Sequence, residues 1–113
     1  MANLLLPDAV LVKNYISGDE SALASLIERH QSKIYGFIYS KINDRDLSDD
    51  IFQDTFIKVI KTLESQSYNE EGKFLPWVMR IAHNLVVDHF RKAKKNAFST
   101  RNRRVFDFQL YDR

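Results

Sequence analysis

Residues Asp46 to Glu64 read DLSDDIFQDTFIKVIKTLE, and the period of their apolar side chains decides the fold. Ile51, Phe52, Thr55, Phe56, Val59, Ile60 and Leu63 return at steps of three and four, which places them on one side of a helix of about 3.6 residues per turn. Such a face is stable only when buried. A helix from about Asp46 or Ser48 to Glu64 therefore predicts partners of the same kind, and the chain supplies them on both sides. Upstream, ESALASLIERHQSKIYGFIYSKI repeats the pattern through Ala22, Leu23, Leu26, Ile27, Ile34, Phe37 and Ile38, with Asp19 as its N-cap and NDRD as its break. Earlier still, Asp8 is placed to cap a short helix through Tyr15 that stops at SGD, where Gly18 supplies the C-terminal turn. Downstream, Ser65 to Lys73 (SQSYNEEGK) is polar and carries the last glycine, so it reads as a loop. A fourth helix then runs from near Phe74 to about Asn96, tolerating Pro76 in its first turn, where no backbone donor is needed.

Strand signals are nearly absent: there is little period-2 alternation, no Asn-Gly or Asp-Gly turn, and three glycines in all. The expectation is an all-α fold, a compact bundle of about four helices spanning residues 1–96. Residues 97–113, AFSTRNRRVFDFQLYDR, lack a sustained period and read as a linker, poorly ordered or only locally helical. With 113 residues and 44% hydrophobic content, the chain suits a single domain with one modest core.

Several function classes fall away on composition. No cysteine is present, which removes disulfides and thiolate metal sites and is compatible with a reducing, cytoplasmic setting. The apolar start MANLLLPDAVLV is interrupted by a proline and an aspartate, follows no basic segment and precedes no small-residue cleavage site, so no signal peptide is expected. Nor does any apolar run reach the ~18 residues of a membrane span. His30, His83 and His89 lack an HExxH or other compact ligand spacing, and no G-x-S-x-G, Walker or dinucleotide loop occurs. Neither a metal, a cofactor nor a catalytic nucleophile is expected.

Charge is more telling in its distribution than in its sum of +2. Residues 1–79 carry 8 Lys/Arg against 12 Asp/Glu, whereas residues 80–113 carry 9 against 3. A sustained basic excess over the last third points toward a polyanion, because clustered cations gain by releasing counterions from a phosphate backbone.

Two helices carry a second stripe opposite the core. On the fourth, Leu75, Val78, Ile81, Ala82, Leu85, Val86, His89 and Phe90 form the expected buried arc, and the other side gathers Trp77, Arg80, Asn84, Asp88, Arg91 and Lys95. A tryptophan among cations either covers the helix start or offers a stacking platform beside a basic groove, as in single-strand nucleic-acid binding. On the third helix, Asp50, Gln53, Asp54, Ile57 and Lys61 line up. An isoleucine within an acidic rim suits docking of another helix.

Taken together, DLSDDIFQDTFIKVIKTL, a polar loop and FLPWVMRIAHNLVVDHFRKAKKN resemble region 2 of bacterial sigma factors of the extracytoplasmic-function (ECF) class, within the sigma-70 family. The resemblance covers about Val10 to Asn96, and the joint order D-D-I-x-Q-D-T-F, F-x-x-W and R-I-A-x-N is specific where each string alone would be weak. It implies a non-enzymatic protein that binds the β′ clamp helices of RNA polymerase through Asp50, Gln53, Asp54 and Ile57. The loop, with Ser67, Tyr68, Asn69 and Lys73, then corresponds to the segment receiving a base flipped from the non-template strand of the minus-ten promoter element. The last helix corresponds to the melting and recognition helix: Asn84 and Asp88 read exposed bases, Trp77 is the aromatic at its start, and Arg80, Arg91, Lys92 and Lys95 lie near the strand backbone. An anti-sigma factor is a further partner that the resemblance allows. Two departures stand out. Region 4, which reads the upstream element, has no counterpart here, so the chain reads as a fragment or a stand-alone region 2; and the acidic Asp88 suits a cytosine amino group better than a phosphate. The rival from another class is a helical protein-interaction module whose basic face meets an acidic partner.

Overall fold

The computed structural model describes residues 6–69 and 71–103, with side chains through residue 95. Four helices follow one another: α1 (Asp8–Ile16), α2 (Glu20–Ile42), α3 (Arg45–Glu64) and α4 (Phe74–Arg103). No strand occurs among the described residues, and the all-α expectation holds.

The caps explain where the helices begin, and two differ from expectation. Pro7, not Asp8, occupies the N-cap of α1, with extended backbone at φ −63° and ψ 156°. Proline holds this conformation at no cost and has no N–H to satisfy. Asp8 is instead the first helical residue, and its carboxylate is committed to α2: Oδ1 accepts from Arg29 Nη1 at 2.8 Å, and Oδ2 lies 2.8 Å from His30 Nε2. The start of α3 also moves. Asp44 caps it, accepting from the Leu47 N–H at 2.9 Å, because this is the first carboxylate able to reach the free amides of the first turn. Ser48 lies one turn inside, fully buried, and its hydroxyl has no hydrogen-bond partner among the described residues. Asp19 caps α2 as expected, accepting from Ser21 N–H at 3.0 Å. The break between α2 and α3 turns on Asn43, in the left-handed region at φ 57°, a conformation that asparagine tolerates better than most residues.

The core joins all four helices: Leu11 and Val12 of α1; Ala22, Leu26, Ile34 and Ile38 of α2; Ile51, Phe56, Val59 and Leu63 of α3; and Phe74, Val78, Ala82 and Val86 of α4. Ring contacts step forward together along α2 and α4, from His30 with Phe74 at 6.0 Å to Phe37 with His83 at 6.1 Å, so these two helices run in the same direction. The arc expected for α4 is buried in its first half and fades in its second. Phe90 is 49% exposed, a correction to its expected burial, because α4 outruns the packed layer after Val86.

The backbone of α4 also passes the expected end at Asn96 and stays helical to Arg103. Nothing in KKNAFSTRNR halts a helix: it holds neither glycine nor proline. What was expected of residues 104–113 lies outside the described residues. No helix among the described residues is long and apolar enough to cross a membrane.

Candidate nucleic-acid and partner interfaces

Because Ile51, Thr55, Phe56, Val59 and Leu63 turn inward, the opposite side of α3 is left facing outward. Asp50, Gln53, Asp54 and Lys61 are exposed there, and Ile57 keeps 47% of its surface exposed. Leu47, 40% exposed, falls on the same stripe at i and i+7 with Asp54, and sequence reading missed it. Its signal was there, an apolar residue off the core arc and in line with Asp50, Asp54 and Ile57. The face is thus two exposed apolar side chains among three carboxyl or amide groups.

The loop between α3 and α4 is shaped by two left-handed residues, Gln66 at φ 60° and Gly72 at φ 74°. Ser65 Oγ donates to the Thr62 carbonyl at 3.0 Å and lies 2.7 Å from Ser67 Oγ, tying the loop's first turn to the end of α3. Tyr68 folds back, half-buried, so that its ring centre is 4.3 Å from that of Trp77, with 40° between the planes. Trp77 lies in turn 5.9 Å from buried Phe74. The tryptophan on the charged side therefore has a structural role, carrying the loop onto the core through an aromatic chain while remaining half-exposed.

Its outer surface borders a cleft of about 250 Å³ lined by Thr62, Ser67, Tyr68, Asn69, Glu71, Lys73, Pro76, Trp77 and Arg80. All four residues expected of the loop site come together here with the first two of the α4 stripe. Glu71 also belongs, a residue that the sequence did not single out within its polar loop. Asn69 Nδ2 donates to Glu71 Oε2 at 2.8 Å.

From Arg80 the stripe continues along α4 through Asn84, Asp88, Arg91 and Lys95, all exposed, with Lys92 exposed at its edge. Arg91 Nη1 sits 3.6 Å from Asp88 Oδ1, both well exposed, a loose pairing that leaves either group available to another partner. A second concavity, bordered by Tyr35, Tyr39 and Arg45, lies beside the start of α3. Partial burial, followed by a hydrogen bond to Asp49, pushes the Tyr35 phenol above its ordinary range.

An acidic-apolar helix face, a small aromatic cleft and a cationic stripe thus occupy one four-helix unit. Residues 26–96 match the family model for sigma-70 region 2. The chain belongs to the sigma-70 region 2 family. Among its relatives is the ECF RNA polymerase sigma factor SigW of Bacillus subtilis (strain 168), 32% identical over 87 residues, which is 77% of this chain and 46% of SigW. The ECF RNA polymerase sigma-E factor of Haemophilus influenzae is 34% identical over 79 residues, 70% of this chain and 40% of that protein. The ECF RNA polymerase sigma factor BldN of Streptomyces coelicolor is 26% identical over 84 residues, 74% of this chain and 31% of BldN. This region 2 chain spans less than half the length of each of these relatives.

Proposed function

We propose that this chain serves as region 2 of an ECF RNA polymerase sigma factor, acting in the cytoplasm in transcription initiation. In this reading Asp50, Gln53, Asp54 and Ile57 dock on the β′ clamp helices, and the loop cleft with the α4 stripe recognises and helps to melt the minus-ten promoter element. The observation that carries it is the junction of the two sites: Ser67, Tyr68, Asn69 and Lys73 share one cleft with Trp77 and Arg80, and that cleft opens onto the exposed stripe of Asn84, Asp88, Arg91 and Lys95. Aromatic rings beside a cationic track suit an unpaired strand, because each base can stack while Lys and Arg follow the phosphates.

No catalytic residue is needed for opening. Once a base leaves the duplex, stacking and edge contacts in the cleft offset the few kcal/mol that unstacking costs, so binding and melting are one equilibrium. Arg80, Arg91, Lys92 and Lys95 supply the sequence-independent phosphate contacts, whereas Asn84 pairs with a base edge and Asp88 accepts from a cytosine amino group. Polymerase performs the polymerisation chemistry. Residues 1–96 form the region 2 unit and 97–113 the segment beyond it, a division supported by the family match ending at residue 96.

The test is binding of labelled non-template, template and duplex minus-ten oligonucleotides to the chain, alone and with core RNA polymerase, at several salt concentrations. Strand-selective, salt-sensitive binding strengthened by polymerase is expected. Absence of single-strand binding in both settings overturns the reading and favours a protein-interaction module.

A further inference from the structure

One stretch of the cleft's polar lining, Asn69 and Glu71, is rich in acceptors. A carboxylate accepts hydrogen bonds and, when ionised, donates none, so the 2.8 Å contact between Asn69 and Glu71 must run from the amide nitrogen to the carboxylate. That direction fixes two things at once. The Asn69 amide is oriented with its NH₂ toward Glu71, which uses one of its two N–H donors and leaves the carbonyl oxygen, on the other side of the amide, as an acceptor for a ligand. Glu71, held in place through Oε2, keeps most of its roughly four acceptor positions. Both residues line the cleft, as do the rings of Tyr68 and Trp77. At about 250 Å³ the space is smaller than the ~300–1,000 Å³ of sites for drug-sized ligands and suits a single planar ring system.

We infer that the cleft selects a base bearing an exocyclic amino group and discriminates against thymine, through the acceptor wall of Glu71 and Asn69. The inference rests on the base-binding role proposed above for the same cleft. Cytosine and adenine each present an NH₂ donor on the edge that pairing leaves free once the base is extruded, and guanine presents an NH₂ beside a ring N–H. Thymine offers a single ring N–H flanked by two carbonyl oxygens, which would face acceptors. An acidic side chain in a cleft that meets a polyanion repels phosphate, so Glu71 suits this place only as a reader of donors. Lys73 and Arg80, on the same lining, offset its charge toward the backbone.

The chain's single tryptophan lies in the cleft wall, which makes occupancy directly visible. Heptamers of abasic sites carrying one central adenine, cytosine, guanine or thymine are titrated into the full chain, and the midpoint of the change in Trp77 emission is read for each. Thymine is expected to bind last, roughly fivefold to tenfold weaker than the tightest amino-bearing base, the low end of one base-edge contact. Glu71→Gln, which adds a donor at the same reach on an exposed loop residue, should compress that gap to within about twofold by admitting thymine carbonyls. Circular dichroism checks that the variant stays folded. If the four bases bind with thymine equal or ahead, or if Glu71→Gln leaves the order and spacing unchanged, the selectivity inference is overturned while base binding stands. If none of the heptamers moves Trp77 emission, the base-binding role of the cleft fails and the inference with it.

Discussion

Asp54→Lys combined with Ile57→Glu should separate docking from folding. Ile57 keeps 47% of its surface exposed, so a partner that covers it gains about half of the ~1.5–3 kcal/mol that full burial of such a side chain is worth, roughly 0.7–1.5 kcal/mol. Glutamate forfeits that gain and leaves a charge at the desolvated centre of the face, which costs a further ~1–3 kcal/mol where no counter-charge waits. Reversing Asp54 at the rim adds about 0.2–1 kcal/mol. A total near 3 kcal/mol corresponds to a loss of roughly a hundredfold in affinity. Folding should be untouched, because both side chains point outward and surface substitutions usually stay within about 0.5 kcal/mol. The assay is competition for a β′ clamp-helix fragment followed by anisotropy, with a thermal melt of each variant by circular dichroism. Phe56→Ala serves as contrast: at 5% exposure its truncation should cost ~3–5 kcal/mol of stability and lose fold and binding together. A double variant that binds within threefold of the parent chain, or that melts as Phe56→Ala does, would refute the assignment of this face.

Asn84→Ala should weaken the preferred non-template strand by about 1–3 kcal/mol and a scrambled strand far less, whereas Arg91→Ala should weaken both alike and make the log–log salt slope shallower by about 0.7. Equal, sequence-independent losses in anisotropy titrations would reduce Asn84 to a structural residue. Ser48→Ala removes a fully buried hydroxyl without a partner among the described residues and should raise stability in urea melts by about 1 kcal/mol; destabilisation would mean that the hydroxyl has a bound partner in solution. Asp8→Asn breaks the charged contacts to Arg29 and His30 and should cost about 1–2 kcal/mol, with faster amide exchange in α1; an unchanged melt would show that Leu11 and Val12 hold α1 unaided.

The helices themselves were legible because their signals are local. Asp19 caps within two residues, NDRD breaks the chain after α2, and the apolar period of α3 needs no tertiary knowledge. Asp8 misled for the opposite reason: its partners, Arg29 and His30, lie on another helix, and no local pattern weighs a cap against a distant guanidinium. Phe90 reads as core on any wheel, since a wheel records angle and not how far the packed layer extends along the axis. In the cleft, Ser67, Tyr68, Asn69 and Lys73 were reached through family resemblance. Glu71 was not, because its meaning depends on the direction of one hydrogen bond from Asn69. Trp77 was found on its face from spacing alone, but its hold on Tyr68 required the folded loop.

The unbroken passage of α4 through Asn96 makes the protein's long helix an indexed shaft. Each residue advances about 1.5 Å and turns about 100°, so the bearing of residues 97–103 is locked in phase to Asn84 and Lys95 on the same rod. One residue inserted after Asn96 would swing the following turns by about 100° for a shift of only ~1.5 Å, whereas seven would carry them ~10 Å outward and restore their bearing to within about 20°. Along this stretch, changes of length act on angle before they act on distance, and a single-residue indel is the harsher lesion.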